Sequence, residues 1–255
     1  MTTSEDPVWT TEQLGVRFGR TTALREVDLE IARGQVTVLL GPNGSGKSTL
    51  LRCAMGMLRP SAGSSQVFER DPITDADEIR QQVGYVPDRP DAPPWMKFKD
   101  LCRFLRGHYR TWDQRLVDEL ADRFDVPRST KIGSMSKGQA MKTMLVLANG
   151  HRPPLLLLDE PFGGLDPISR DEVCAVVLTT LQSEDHTIVC CTHELELAAR
   201  LADRVAILDS GRLVEHGTLA DVFGSDEPTA TPQRLKERLR QKESELTDRK
   251  EVSRC

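Results

Sequence analysis

The sequence has no long hydrophobic run. No stretch approaches the roughly 18 apolar residues that a helix needs to cross a bilayer. Its start, MTTSEDPVWT, is polar and acidic, whereas a secretory signal peptide begins with a basic and then an apolar region. An internal repeat and a low-complexity linker are also missing. We therefore expect a chain that has no membrane helix and no leader, and that works at a membrane only through a partner.

An excess of basic residues and a paired cysteine spacing are missing as well. The chain has 34 Lys and Arg against 39 Asp and Glu, a formal net charge of −5 at pH 7. Because nucleic-acid binding calls for a basic face, no nucleic-acid partner is expected. The cysteines show no CxxC or His-paired spacing, and they stand at positions 53, 102, 174, 190, 191 and 255. This usage predicts reduced thiols of a cytosolic protein rather than a zinc site or a disulfide framework.

What is present is an alternation of apolar strands and helical patterns, which favours an α/β fold with a mostly parallel core sheet. Buried strands are predicted at residues 36–40, 155–158, 187–191 and 205–208, and helices at 47–58, 167–182 and 194–202. Residues 14–18 and 27–31 alternate more like antiparallel strands. They predict an N-terminal antiparallel β subdomain.

The middle of the chain differs from both ends. Between about residues 90 and 149 the strand pattern disappears, and helical patterns at 98–108 and 112–124 lead into the stretch SMSKGQ. We expect an inserted helical subdomain here. A charged tail over 225–255 carries Leu235, Leu239 and Leu246 as a sparse apolar stripe. That pattern predicts either a solvated helix or a helix that packs on a partner.

A phosphate-binding loop is predicted by GPNGSGKST at 41–49, which fits G-x-x-x-x-G-K-[ST] between a strand and a helix. A glycine-rich turn that matches by chance is disfavoured by this context. Glycines let backbone N–H groups converge on the β-phosphate, Lys47 reaches the β- and γ-phosphates, and Ser48 offers its hydroxyl to Mg²⁺. The candidate nucleotide-binding residues are Gly41, Asn43, Gly44, Ser45, Gly46, Lys47, Ser48 and Thr49. The core is therefore predicted to be a P-loop NTPase core.

Candidate catalytic groups follow two other strands. LLLLDE at 155–160 ends an apolar strand in adjacent carboxylates: Asp159 suits the outer shell of a metal, and Glu160 is placed to polarise the attacking water of phosphoryl transfer. Two solvated loop carboxylates are the alternative, disfavoured because the chain also has a phosphate loop. His193, in CTHE, could hold the γ-phosphate or the water. A purely structural histidine is the alternative.

The stretch SMSKGQ predicts a second anion site. Ser136 and Gln139 stand three residues apart, as in the capping box of a helix start. The free N–H groups of a helix start attract an anion. One ATP cannot easily use two helix starts of one chain if they lie on separate lobes, whereas a second copy of the chain can supply one of them.

In the order phosphate loop, SMSKGQ, LLLLDE, GGLDP and CTHE, the chain resembles the nucleotide-binding subunit of ABC transporters over about residues 8–224. The resemblance implies an ATP-binding domain at 5–224, with the helical lobe inserted at about 90–149. It implies a Mg²⁺-dependent ATPase whose cofactors are ATP and Mg²⁺. Two subunits would pair head to tail around two ATP molecules.

Further site residues follow from the same resemblance. Ser136, Gly138 and Gln139 belong to the signature helix, whose Ser136 and Gly138 would face the γ-phosphate bound by Lys47 of a second copy. Asp166 would cross the same interface, and Phe18 stands where the family stacks an aromatic ring on adenine.

The sequence departs from the family pattern at a few positions. Asp88 stands where the family usually has a glutamine that contacts Mg²⁺ and senses the transmembrane partner. It either binds the metal as a hard oxygen ligand, together with Ser48 and Asp159, or caps the next segment. Lys137 replaces a glycine of the signature and adds positive charge near the phosphate unless it turns to solvent. Because Ser136 and Gly138 are kept, we expect function to be retained.

The resemblance implies an ATP-hydrolysing subunit at the cytoplasmic face of the cell membrane, peripheral to it, which powers transport through separate transmembrane permease subunits. Trp95, Met96 and Phe98 predict either a groove for a short helix of the permease or ordinary lobe core. A homodimer is favoured because one chain carries every catalytic part. Export is favoured because the chain ends soon after the ATP-binding domain, like short exporter ATPases.

Two other functions compete with this interpretation. The first is an ABC-type ATPase switch in DNA repair or translation, which is disfavoured by the single cassette and the acidic charge. The second is a P-loop kinase or other NTPase, which is disfavoured by the signature helix.

Overall fold

Two β-sheets organise the chain in a computed structural model that describes residues 7–181 and 186–223. The charged tail predicted over 225–255, with its alternative fates, lies outside the described residues.

The smaller sheet is antiparallel and is built from β1 (Trp9–Phe18), β2 (Thr21–Ile31) and β4 (Ala62–Val67) in the order β2-β1-β4. Its buried side chains include Trp9, whose Nε1 donates a hydrogen bond to Ser65 Oγ at 3.0 Å. The antiparallel N-terminal subdomain that the sequence predicted is confirmed. Strand β4 was not predicted, because its sequence AGSSQV is mostly small and polar.

The larger sheet has the order β5-β6-β7-β3-β8-β9 and is parallel except for the antiparallel pair β8–β9 at one edge. Its strands are β3 (Val36–Leu40), β5 (Val83–Val86), β6 (Leu155–Asp159), β7 (Thr187–Thr192), β8 (Arg204–Asp209) and β9 (Arg212–Thr218). Every residue of β3, β6 and β7 is buried, which explains their apolar character, because a strand covered on both faces has no solvent side. The predicted mostly parallel core sheet is confirmed.

Eight helices accompany the sheets in the described part of the chain. They are α1 (Lys47–Ala54), α2 (Ala76–Arg80), α3 (Phe98–Arg106), α4 (Gln114–Arg123), α5 (Lys137–Ala148), α6 (Pro167–Leu181), α7 (Leu195–Leu201) and α8 (Leu219–Phe223). Among residues 7–181 and 186–223, no helix is both long and apolar enough to cross a membrane.

Helices α3, α4 and α5 form the lobe between β5 and β6. Those two strands pair directly, with Val83 opposite Leu155, so the intervening chain leaves the sheet edge and returns to it. Within this stretch the structure shows helices, a 3₁₀ turn at Ile132–Ser134 and one isolated bridge between Lys97 and Lys131. An inserted helical lobe is thus observed, as the loss of the strand pattern indicated.

Several predicted helix ends are wrong by a few residues. The helix predicted at 47–58 ends at Ala54, because Gly56 takes a positive φ of 63° and even a Cβ there would lie 1.9 Å from the Pro72 carbonyl. The helix predicted from 112 begins at Gln114. Asp113 caps it, since its carboxylate accepts a 3.0 Å hydrogen bond from the Leu116 N–H.

The carboxyl ends of β3, β6 and β7 lie side by side at one edge of the larger sheet. The Gly41 N–H, just after β3, donates to the Thr192 carbonyl at 3.3 Å, and the Glu160 N–H, just after β6, donates to the Cys191 carbonyl at 3.1 Å. Ligands of open α/β sheets bind outside the carboxyl ends of the strands. The fold therefore brings the phosphate loop, the acidic pair and His193 to one place.

Candidate functional site

The loop between β3 and α1 has a backbone that only glycine accepts at its critical position. Gly46 has a φ of 110°, and a Cβ there would lie 2.6 Å from the Leu24 side chain and 2.8 Å from the Ala23 carbonyl. Gly44 also has a positive φ, of 83°. The loop leads into the first turn of α1, whose N–H groups can receive an anion. The arrangement is a phosphate cradle that a side chain would fill.

Lys47, the first residue of α1, is almost completely buried, with 4 % of its surface exposed. Its Nζ donates to the carbonyls of Gly41 at 2.7 Å and Pro42 at 3.1 Å, and lies 3.1 Å from Glu160 Oε1. An ammonium group held by carbonyl oxygens and one carboxylate can exchange these partners for phosphate oxygens without being exposed to water.

Ser48 and Asp159 together provide oxygen donors suited to a magnesium ion. The Ser48 hydroxyl donates to Asp159 Oδ1 at 2.8 Å, while the buried Oδ2 has no hydrogen-bond partner in the described part of the chain. Burial raises the pKa of Asp159, the Ser48 hydrogen bond opposes this, and the negative charge of Asp88 adds to the rise.

No group of three or more His, Cys, Asp and Glu side chains that could hold a metal occurs within residues 7–181 and 186–223. A cation here would need phosphate and water oxygens as further ligands, which is how Mg²⁺ is usually bound at nucleotide sites. The residues present therefore fit Mg²⁺ bound together with a nucleotide.

Glu160 lies at the centre of the site on a strained backbone. It has a φ of 49°, and its carbonyl accepts a hydrogen bond from the Gly163 N–H at 3.0 Å, which closes a tight turn after β6. Its carboxylate lies between Lys47 and His193, with 3.0 Å between Oε2 and His193 Nδ1. Because a carboxylate only accepts hydrogen bonds, we assign an imidazole proton to Nδ1. The other ring nitrogen, Nε2, does not contact Glu160 and is available to a ligand.

These groups line a cleft of ≈ 390 Å³. Nine of the residues predicted from sequence lie on its wall: Asn43, Gly44, Gly46, Lys47, Ser48, Thr49, Asp88, Glu160 and His193. Lys137, which the sequence suggested would add positive charge near the phosphate, also lies on the wall, together with three residues that were not predicted: Ala23, Arg89 and Gly163. Arg89 shares the wall with Asp88, and its Nε lies 3.9 Å from the Asp88 carboxylate.

The other predicted site residues do not line this cleft. Gly41 and Ser45 are buried within the loop, and Asp159 is buried below Ser48. Phe18, at the end of β1, is 51 % exposed. The Asp166 carboxylate accepts hydrogen bonds from the start of α6, and those from Ser169 in particular lower its pKa.

Three of the outlying residues, Ser136, Gly138 and Gln139, form the start of α5. The predicted capping box is present: the Gln139 N–H donates to Ser136 Oγ at 3.2 Å, and the Ser136 N–H donates to Gln139 Oε1 at 3.0 Å. Gly138 is buried, and a Cβ there would lie 2.6 Å from Ser169 Oγ. This helix start is therefore well formed, but its capping pair does not line the cleft of its own chain.

Comparison with known protein families identifies the chain. The family model described as ABC transporter matches residues 24–163, more than half of the sequence. The chain belongs to the ABC transporter family. Residues 24–163 therefore form a domain of the ABC transporter ATP-binding type.

Curated relatives agree with this assignment. An ABC transporter ATP-binding protein of Streptomyces avermitilis is 36% identical over 236 residues, with 89% of this chain and 41% of that protein covered. The phosphate import ATP-binding protein PstB 2 of Aliivibrio fischeri is 34% identical, with 83% and 84% covered. The chain spans about two fifths of the length of the Streptomyces avermitilis and Streptomyces coelicolor relatives.

Solved structures show the same fold. A structure titled as the ATP binding subunit of an ABC transporter superposes with a TM-score of 0.80 at 25% identity, over 92% of this chain and 99% of that one. The cbiO1 subunit from Clostridium perfringens superposes with a TM-score of 0.75 at 26% identity, over 88% and 93%. The predicted P-loop NTPase core is therefore confirmed as an ABC ATPase fold.

An apolar groove lies between the end of β5 and the helical lobe. It has a volume of ≈ 300 Å³, and its wall includes Met96, Leu101, Phe104, Leu105, Met144 and Leu147. Of the three side chains that the sequence suggested for such a groove, only Met96 lies there. Phe98 is buried in the lobe core, and Trp95 is exposed outside the groove. The core alternative is thus correct for Phe98.

Proposed function

We propose that the chain is a Mg²⁺-dependent ATPase subunit that dimerises around ATP and powers transport through separate membrane-spanning subunits. The observation that carries the catalytic part is the position of Glu160, whose carboxylate lies between Lys47 and His193 on the wall of the cleft. Phosphoryl transfer depends mainly on positioning and on electrostatic stabilisation. These three side chains supply both at the place where the γ-phosphate would lie.

Each group has a distinct task in the hydrolysis that we propose. Glu160 orients the attacking water and accepts its proton, while Lys47 exchanges its carbonyl partners for phosphate oxygens. His193 holds the Glu160 carboxylate through Nδ1–H, and in the imidazolium form Nε2–H also donates, to a phosphate oxygen. Ser48 and Asp159 would hold a Mg²⁺ ion, which when bound would supply positive charge against the phosphates.

The dimer in this proposal gives the signature helix a ligand. Lys137 lines the cleft of its own chain, but the capping pair Ser136 and Gln139 beside it does not, so a second copy in head-to-tail arrangement supplies the nucleotide that this pair faces. Asp166 would lie at the same interface, and Phe18, exposed at the end of β1, is free to stack on adenine. A homodimer satisfies both sites with identical parts.

A permease subunit is the proposed occupant of the apolar groove. Exposed apolar concavities of this kind accept an amphipathic helix. Export remains a prediction from the resemblance. A relative whose name states a direction, PstB 2, is named for phosphate import, so transport is to be assayed in both directions.

The test is a purification with ATP. A tagged Glu160→Gln chain, which is expected to hold ATP without cleaving it, is recovered with ATP from detergent-solubilised native membranes, and its companions are identified by mass spectrometry. A polytopic membrane protein at stoichiometric level is the expected result. Recovery of the chain with only ribosomal or DNA-bound proteins would instead favour an ABC-type switch.

Asp88 is proposed to help hold the metal, since it lines the cleft together with Ser48 and its charge acts on Asp159. We expect Asp88→Ala to raise the Mg²⁺ concentration for half-maximal ATP hydrolysis about tenfold, as loss of an outer metal partner typically does. A Mg²⁺ titration at saturating ATP measures this. Asp91→Ala, an exposed aspartate three residues on, is the matched control. An unchanged titration for Asp88→Ala would leave capping of the next segment as its role.

A further inference from the structure

Lys137, the second residue of the capped stretch Ser136–Gln139, makes a contact that phosphate binding alone does not explain. Its Nζ donates a hydrogen bond to the carbonyl of Gly163, which is three residues after Glu160. The next residue, Gly164, has a φ of 65°, and a Cβ built on it would lie 3.1 Å from the same Nζ, so the ammonium group packs closely on both glycines. The ammonium group thus rests on the loop that carries the proposed catalytic carboxylate.

The loop is also held by contacts within the protein core. The Gly163 N–H is bound to the Glu160 carbonyl at 3.0 Å, and the next side chain after Pro161, Phe162, is buried in the core. Gly163 therefore closes the turn with its N–H and accepts a hydrogen bond from Lys137 with its carbonyl. The Lys137 contact thus lies next to the hydrogen bond that closes the turn carrying Glu160.

A second contact joins the same two segments. Gly138 packs so closely on α6 that a Cβ would lie 2.6 Å from Ser169 Oγ, and this hydroxyl donates to Asp166 at 2.7 Å. The start of α5 consequently contacts the middle of the loop after Glu160, at Gly163, and the first turn of α6 that follows the loop, at Ser169. Of these two contacts, the one made by Lys137 involves a charged group.

The other half of α5 reaches a different surface. Met144, Leu147 and Ala148 of this helix line the apolar groove of the lobe. Lys137 and Met144 are seven residues apart, about 10 Å along a helix that rises 1.5 Å per residue. One helix therefore runs from the groove to the loop that follows Glu160.

We propose that Lys137 is a positioning residue, which holds the turn Glu160–Gly163 against the start of α5 so that the aim of the Glu160 carboxylate follows the position of α5. The inference deepens the proposed ATPase function and rests on it. Because Lys137 acts through the turn, its loss reduces turnover and leaves ATP binding by Lys47 and the phosphate loop intact.

The first test is steady-state hydrolysis by the full chain. Lys137→Met and Lys137→Gln are each expected to lower kcat about fivefold, with KM for ATP within about twofold of the wild type, since one charge-assisted hydrogen bond is lost. Lys137→Arg retains a donor and is expected to keep most of the activity. Lys131→Met removes an exposed lysine six residues earlier and is the matched control. A raised KM with unchanged kcat would make Lys137 a nucleotide-binding cation and overturn the proposal.

A double-mutant cycle separates positioning from a general effect on the fold. In the Glu160→Gln background, Lys137→Met is expected to cause no further loss in the single-turnover rate, because there is no carboxylate left to aim. A further fivefold loss in that background would show that Lys137 acts independently of Glu160, and the inference would fail. If the wild-type chain itself hydrolyses no ATP, the proposed function fails, and this inference fails with it.

Discussion

Replacing Glu160 with glutamine is expected to lower kcat for ATP hydrolysis by about 10² to 10³, within the range that a lost general base produces. Glutamine has the same shape but cannot accept the proton of the attacking water. ATP binding is expected to persist, because the substitution leaves Lys47 and the phosphate loop in place. It also removes the carboxylate charge 3.1 Å from Lys47 Nζ, so that this ammonium group is free to bind phosphate oxygens. Single-turnover hydrolysis and equilibrium binding of a fluorescent ATP analogue measure the two effects separately.

The matched control for this substitution is Glu194→Gln. Glu194 lies one residue after His193 and pairs with Arg170 at 2.8 Å, but it does not line the cleft. Its substitution is expected to leave kcat within about twofold, as for an ion pair outside the reacting centre. A Glu160→Gln chain that keeps half or more of the wild-type kcat would show that another group activates the water.

Replacing Ser136 with arginine is expected to abolish both ATP-dependent dimerisation and turnover while each chain still binds ATP. The large side chain removes the Ser136 hydroxyl of the capping box and fills the helix start that a second copy would present to the γ-phosphate. Size-exclusion chromatography with ATP, in the Glu160→Gln background, measures the fraction of dimer. Equilibrium nucleotide binding by the monomer shows whether the cleft is intact.

Ser134→Arg introduces the same charge and bulk at an exposed serine two residues earlier, in the 3₁₀ turn Ile132–Ser134. We expect that variant to dimerise and hydrolyse ATP. If Ser136→Arg also dimerised and turned over ATP normally, the signature helix would not be part of a shared nucleotide site, and the head-to-tail dimer would have to be abandoned.

The core of the fold could be predicted because its strands are apolar on both faces. Strands β3, β6 and β7 are continuous hydrophobic runs, and each ends in a distinctive polar motif. Since parallel strands end at the same sheet edge, these motifs had to meet there. The capping box of Ser136 and Gln139 followed from local spacing alone, and the structure confirms it.

Contacts between polar segments that are far apart in the sequence could not be predicted from hydrophobic patterns. Strand β4 has few apolar residues, so its pairing with β1 leaves no clear pattern. The contact of Lys137 with the Gly163 carbonyl joins residues 26 positions apart, and an unusual residue in the signature was its only signal. The burial of Phe162 in the core likewise depends on tertiary packing around the loop.

The left-handed backbone of Glu160 means that the residue at this position is not the one that would make the folded protein most stable. A φ of 49° costs a residue that has a Cβ on the order of 1 kcal/mol, which glycine would avoid. Domains of ordinary size are stable by only about 5–15 kcal/mol, so this is a noticeable share. Selection for heat resistance alone would tend to replace Glu160. A laboratory screen for variants with higher thermal stability should therefore include ATP turnover as a criterion.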